Sequence, residues 1–525
     1  MNRNHLRAAA LATIAGAAAL SLTACGLHAG KTSAASEDPE NSTIVIGSSN
    51  VAETLDPQQA SDAHNDFNIA GVYDRLVDYD ADGKMIPKLA TAWKFNSDAT
   101  QLTLTLRDGV TFHSGNPFTA ADVVYTLDRV KKIGSGVASF LSDYVSASAP
   151  DPQHVVIKLS KTDLDFLGAL SPIYILDAKL VKPNEGSDDA QGWLGGHDAG
   201  SGPFQISSYK PNQELDLARY KSYWDYDGGR PAALVLRMIS DHSAARDEFL
   251  AGNLDITMGL NPVDVDAVAK NAKYEVVNIP APRETYAWLN NQGKITGDVR
   301  VREAIQLAYD YSGHLSTALG KQGAIADTIL PEGISCRVDA GKPTQDLAKA
   351  TRLIKDAGVA GSTVTVAYQP TVPEFNAAGT LLQASLKQIG LNAKLVAVTF
   401  PQYAQMVSSQ STMPDIALAW DFASFPAAGP MLQREWASSA AGKTNFGWYS
   451  NAKVDKLLAD AQKQTDATTA CADYTQVQKQ VLADHALLAI AYPAVTMVTD
   501  KKVETIPFSP TQQDFNVGTL RMATN

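Results

Sequence analysis

The chain has 525 residues, of which 45% are hydrophobic, 19% charged and 8% aromatic, a globular composition long enough for about three domains and a sizeable core. Its 44 basic residues against 56 acidic ones leave a formal charge of −12 with no concentrated basic patch, which excludes nucleic-acid binding as a main role. Three cysteines in such a length exclude a disulfide-stapled miniprotein and a multi-zinc scaffold.

The N-terminus differs from the rest. Arg3 and Arg7 precede Ala8–Ala24, 17 residues without a charge. That is short for a membrane span, and a basic start, an apolar middle and small residues at the end read as an export signal over 1–24. Leu22-Thr23-Ala24-Cys25, with Gly26 behind it, resembles a bacterial lipobox, so Cys25 is expected to carry lipid after cleavage. Residues 25–42 are small, polar and aperiodic, a flexible tether. Gly26 to Thr32 approaches a phosphate-binding loop, but the spacing is one residue short and no strand precedes it.

From Thr43 onward strand-like and helix-like segments alternate, which defines an α/β class. Thr43–Ser48 is a β-branched strand. Gln101–Arg107 alternates strictly, with Leu102, Leu104 and Leu106 on one face, and Asp108-Gly109 predicts a hairpin returning through Val110–Phe112. Thr119 caps the next helix, with Asp122 three residues on and Phe118 facing Val123 as a hydrophobic staple. Asp298 caps a later helix, and Gly358 and Gly390 are natural stops for two more. Further strands are expected at 234–239, 363–368, 392–398 and 415–419.

Catalytic constellations are missing from the pattern. There is no His-Glu-x-x-His, Cys-x-x-Cys or Gly-x-Ser-x-Gly, and Ser207-Ser-Tyr-Lys210 lacks the partner motifs of a penicillin-binding nucleophile. The nine histidines are scattered, with no i, i+4 metal pair. The expectation is therefore no catalytic residue, no metal and no cofactor.

One stretch is specific enough to carry a family resemblance: Leu89 to Asp98 around Trp93, Leu102 to Gly115 with Arg107, Phe112 and His113, and Phe118 to Arg129 with Ala120, Asp122 and Tyr125. It resembles the signature of the extracellular solute-binding proteins of family 5, the peptide, oligopeptide and nickel receptors of ABC importers. Gly200-Ser-Gly-Pro-Phe204, Ala251 to Ile256, Leu289-Asn290, Val299 to Asp310 and Asn445 to Asn451 resemble later blocks in order, over about 400 residues. The alternation of their neighbours marks Trp93, Arg107, Phe112 and His113 as residues that hold the fold.

The resemblance implies a two-lobed periplasmic-binding-protein-like fold with the ligand cleft between the lobes. Lobe I would be 43–280 with an extra subdomain at about 73–199, lobe II 281–494, and 495–525 a return to lobe I. It also implies a membrane-anchored extracytoplasmic monomer that hands a small solute to ABC permease subunits. In peptide-binding relatives an Asp soon after a Trp in lobe II pairs with the ligand ammonium. Here Trp420 matches, but that Asp position falls on about Ala423 or Ser424, which carry no charge. Trp420, Asp421, Phe422 and Ser424 are the leading ligand candidates, with Tyr449, Tyr492 and Asn50 behind them, and Asp421 is the nearby carboxylate for a cation. Three readings stay open: a peptide receptor, a receptor for another solute such as a glycoside, metallophore or amine, and an extracytoplasmic enzyme or sensor on the same scaffold. With Cys25 lipidated, Cys336 and Cys471 remain as a disulfide pair in an exported protein, or as two free thiols.

Overall fold

Leu102, Leu104 and Leu106 alternate along the strand Gln101–Leu106 and are buried on one face. Ala90–Phe95 and His154–Leu159 flank this strand, both antiparallel, and Tyr144–Asp151 completes a four-stranded sheet. With both edges of the strand occupied, the hairpin expected through Val110–Phe112 does not form, and Thr111 makes only an isolated bridge to Pro117. The helix Ala120–Ile133 shares a core with this sheet through Val123, Leu127 and Val130. Its start is fixed locally: the Thr119 N–H donates to Asp122 Oδ2 at 2.8 Å, and Gly134 closes the other end at φ 66°.

The computed structural model describes residues 39–49, 51–59, 63–504 and 515–523. The export signal over 1–24, Cys25 and Asn50 lie outside these residues. Residues 39–42, the end of the expected tether, are among the described ones. Pro39–Asn41 form a 3-10 turn, and Glu40 reaches Arg219 at 2.7 Å and Lys221 at 3.2 Å, so two cations draw it onto the folded part.

A 12-stranded sheet organises the remainder. Its order runs Asn392–Ala397, Thr363–Tyr368, Ile416–Phe422, Arg283–Leu289, Leu487–Asp500, Ile256–Met258, Thr43–Ser48, Ala233–Met238, Glu214–Arg219 and Phe204–Lys210. The long strand Leu487–Asp500 joins two halves. Its first half pairs with Arg283–Leu289 and Gly323–Ile325, and its second half with Tyr274–Pro280 and Ile256–Met258. The chain thus passes between the halves twice, at 281–282 and near Pro493. Prolines suit these points, because a proline offers no N–H to a ladder.

Each half carries its own apolar cores, one containing Ile44, Leu234 and Met497 and the others Trp288, Leu418 and Val477. The fold is α/β and two-lobed. The lobes touch where Phe425 meets Phe140, with ring centroids 6.4 Å apart, beside Ala169 and Ala427. Gly83, at φ 74°, approaches Gly333 so closely that a Cβ would sit 2.9 Å from its carbonyl oxygen. Cys336 and Cys471 are joined in a disulfide with Cα atoms 5.1 Å apart, which ties the loop bearing Gly333 to the helix Ala467–Ala483.

Candidate functional site

Thr363–Tyr368 runs parallel to both Asn392–Ala397 and Ile416–Phe422, so the three strands end on the same side. Ligands of open α/β sheets bind beyond such carboxyl ends. Trp420 stands there, 38% exposed. Its edge is held: Nε1–H donates to Glu374 Oε2 at 3.0 Å, and Phe375 packs 5.0 Å from the ring. Glu374 sits in the first turn of the helix Pro373–Gln388, where the helix dipole favours a carboxylate. Its other oxygen lies 3.1 Å from His314 Nε2, and His314 Nδ1 lies 2.9 Å from the Tyr309 hydroxyl. The Arg283 guanidinium covers the indole at 5.1 Å, a cation–π arrangement.

Asp421 points the opposite way, because successive strand residues alternate. It is 5% exposed and pairs with Arg434 at 2.8 Å. Glu284 is its register partner on the neighbouring strand, and Arg434 also lies 3.4 Å from Glu435. Burial, reinforced by the charge of Asp421, holds the carboxyls of Glu284 and Glu435 well above the usual range. The expected role of Asp421 as an open cation anchor is therefore corrected: its carboxylate already has its cation, inside a buried cluster.

The other candidates separate. Phe422 is half-buried at the strand end, and its carbonyl accepts from Arg434 at 3.3 Å. Ser424 is half-buried and uncharged, next to the interlobe residue Phe425. Tyr492 is 6% exposed beside the Pro493 crossing. Its hydroxyl sits 3.0 Å from Asp327 Oδ1 and 3.2 Å from Arg337 Nη2, and so pins the loop over 327–337. Tyr449 is buried: it is 3% exposed, donates to Asp484 Oδ2 at 2.7 Å and packs on Trp436 with ring centroids 5.5 Å apart. Core packing claims it. His113 and Arg107 are fold residues as read: His113 lies 2.8 Å from Asp198 and 2.9 Å from the Gly202 carbonyl, and Arg107 stacks 4.0 Å over Trp224. Burial opposes the charge on His113, but Asp198 outweighs it and raises its pKa.

A cavity of about 530 Å³ lies between the lobes, a size suited to a small solute. Phe140, Asp163 and Asp165 line one wall, and Phe425, Arg434 and Tyr474 the other, with the disulfide at its edge. Asp163 is pushed up to about 6 by burial and the charge of Asp143, and Asp165 to about 7 by burial and the charge of Asp163. Sequence reasoning missed both, since Asp163-Leu-Asp165 reads as ordinary turn chemistry. Among the described residues no group of His, Cys, Asp or Glu is placed to hold a metal ion. No helix there is long and apolar enough to cross a membrane.

Comparison with known proteins places the chain. Residues 84–443 match Bacterial extracellular solute-binding proteins, family 5 Middle. The chain belongs to this family. It is 30% identical over 495 residues to the probable D,D-dipeptide-binding periplasmic protein DdpA of Escherichia coli, covering 91% of this chain and 94% of that one. It is 25% identical over 445 residues to the glutathione-binding protein GsiB of Salmonella typhi, covering 83% and 86%. Among solved structures, the substrate-binding protein CtaP of an ABC transporter from Listeria monocytogenes superposes with a TM-score of 0.83 at 22% identity, covering 92% of this chain and 100% of that one. DppA from Helicobacter pylori, in complex with the peptide STSA, superposes at 0.73 with 22% identity, covering 92% and 98%. These two likenesses concern the fold.

Proposed function

We propose that the chain is a membrane-anchored extracytoplasmic receptor that captures a peptide by lobe closure and delivers it to the permease of an ABC importer. The observation that carries this reading is the pairing of a cavity walled by both lobes with two strand crossings, the layout of hinged bodies that close on a solute. The names of the relatives, a D,D-dipeptide-binding protein and di/tripeptide-binding proteins among them, favour peptides as the solute class. Trp420 is the candidate aromatic contact in this reading: it lies outside the cavity lining, but its indole is 38% exposed at the strand's carboxyl end, with Arg283 over one face and its edge held by Glu374. No residue is assigned a catalytic role, and the working form is a monomer.

One observation favours a second reading, a receptor for a non-peptide solute such as a glycoside, metallophore or other amine. The usual acidic anchor is missing at Ala423 and Ser424, and Asp421 is bound to Arg434. Native mass spectrometry of freshly purified protein separates the two. A co-purified mass that releases amino acids on hydrolysis supports the peptide reading, and a ligand without peptide bonds overturns it.

Anchoring through Cys25 belongs to the same proposal. Two acyl chains give stable attachment at about 0.8 kcal/mol per buried CH₂. Cys25→Ala protein should leave the membrane fraction, and mature-size protein remaining there would refute the anchor. The disulfide fits this location, because oxidising compartments permit it.

A further inference from the structure

We infer that the interlobe cavity binds a cationic group of the solute, an ammonium or guanidinium, and that Asp165 of the lobe I subdomain is its anchor. The inference deepens the solute-receptor reading and rests on it. It moves the charge recognition to the opposite wall from the one that Asp421 was expected to supply.

Charge bookkeeping across the cavity leads there. On the lobe II wall Arg434 is committed: it holds Asp421 at 2.8 Å, Glu435 at 3.4 Å and the Phe422 carbonyl at 3.3 Å. On the lobe I wall Lys161 is paired with Asp143 at 3.3 Å. Asp163 accepts the Asp165 backbone N–H at 2.9 Å. The Asp165 carboxylate has neither a hydrogen bond nor an ion pair among the described residues: it stands at the N-cap of the short helix Phe166–Ala169 without accepting a capping hydrogen bond, and it lines the cavity. It lies instead against Gly429 of the opposite lobe, where a Cβ would collide with both its Oδ2 and the Tyr474 hydroxyl.

A carboxylate shut between two lobes without a cation is unfavourable, and it becomes favourable when a partner arrives. The rest of the lining gives that partner its character. Phe140, Phe425 and Ala470 are apolar, while Gln433 and Tyr474 offer hydrogen bonds, so the cation is attached to an apolar body of modest size. Because the walls come from different lobes, Asp165 meets such a ligand only with the lobes together, and the ion pair would favour the closed form.

Calorimetry with four probes tests this: Ala-Phe, its N-acetyl form, phenethylamine and N-acetylphenethylamine. They are titrated into the wild type, Asp165→Asn and, as a smaller replacement, Asp165→Ser, each with its melting curve recorded. The expected result is that free-amine probes bind the wild type at least about 30-fold more tightly than the acetylated ones. Both variants, still folded, should lose that preference. If Ala-Phe binds the wild type and the variants equally, the anchor is overturned and the peptide reading stands. If phenethylamine binds through Asp165 and Ala-Phe does not bind, the anchor stands and the peptide reading falls. No amine preference in the wild type overturns the anchor outright.

Discussion

Replacing Glu284 with glutamine should stabilise the protein, and by an amount that grows with pH. Glu284 is 1% exposed, its Oε1 has no hydrogen-bond partner among the described residues, and it faces Asp421 across the strand register. Burial, then the charge of Asp421, raises its folded pKa well above that of the unfolded chain, near 4.3. Above that unfolded value the folded state holds a proton that the unfolded state has released, so stability falls as pH rises until the folded pKa is passed. One group of this kind costs up to about 1.4 kcal/mol per pH unit. Between pH 5 and 7 the wild type should therefore lose up to about 2.7 kcal/mol more than Glu284→Gln. Urea unfolding at pH 5, 6 and 7, with equal m-values, reads the difference directly. Parallel stability–pH curves for the two proteins would refute a buried, proton-holding Glu284.

Arg434→Met removes the cation that Asp421 pairs with. It should cost about 2–3 kcal/mol in urea unfolding, less than a fully buried pair because the Arg434 side chain is itself 40% exposed; an unchanged midpoint would contradict the pairing. Reduction of the Cys336–Cys471 bond should destabilise by about 5 kcal/mol on the chain-entropy account of its 135-residue separation. Thiol titration of unfolded, unreduced protein lacking Cys25 should find no free thiol, and two would refute the bond. Affinity for a free-amine probe should rise from pH 5.5 toward pH 8 as Asp165, held at about 7, loses its proton, and Asp165→Asn should flatten that rise.

What the sequence disclosed depended on how local the deciding contacts were. The helix at Ala120 announced itself because Thr119 and Asp122 satisfy each other within one turn. The hairpin after Asp108 failed for the opposite reason. His154–Leu159, some 50 residues on, takes the edge that the return strand would have needed. The site divided in the same way. Trp420 was readable as the end of a strand, but the direction of Asp421 depends on register parity, and its partner Arg434 comes from a separate helix. Tyr449 sits in an aromatic-rich block, yet Trp436 and Asp484 draw it into the core. Asp165 was illegible because Gly429, which packs against its carboxylate, is brought across from the other lobe by the fold, and Asp163 because its burial beside Asp143 joins segments 20 residues apart.

The proposal that the solute, held between the lobes, also reaches the indole at the end of Ile416–Phe422, which is not part of the cavity lining, is tested most directly at Trp420. Once mass spectrometry has supplied the ligand, calorimetry compares the wild type with Trp420→Ala at matched melting temperature. The account predicts a loss of about 2–4 kcal/mol in binding with the fold intact, the size typical of an aromatic anchor. Equal affinity in the folded variant would contradict it and remove this end of the strand from the binding site.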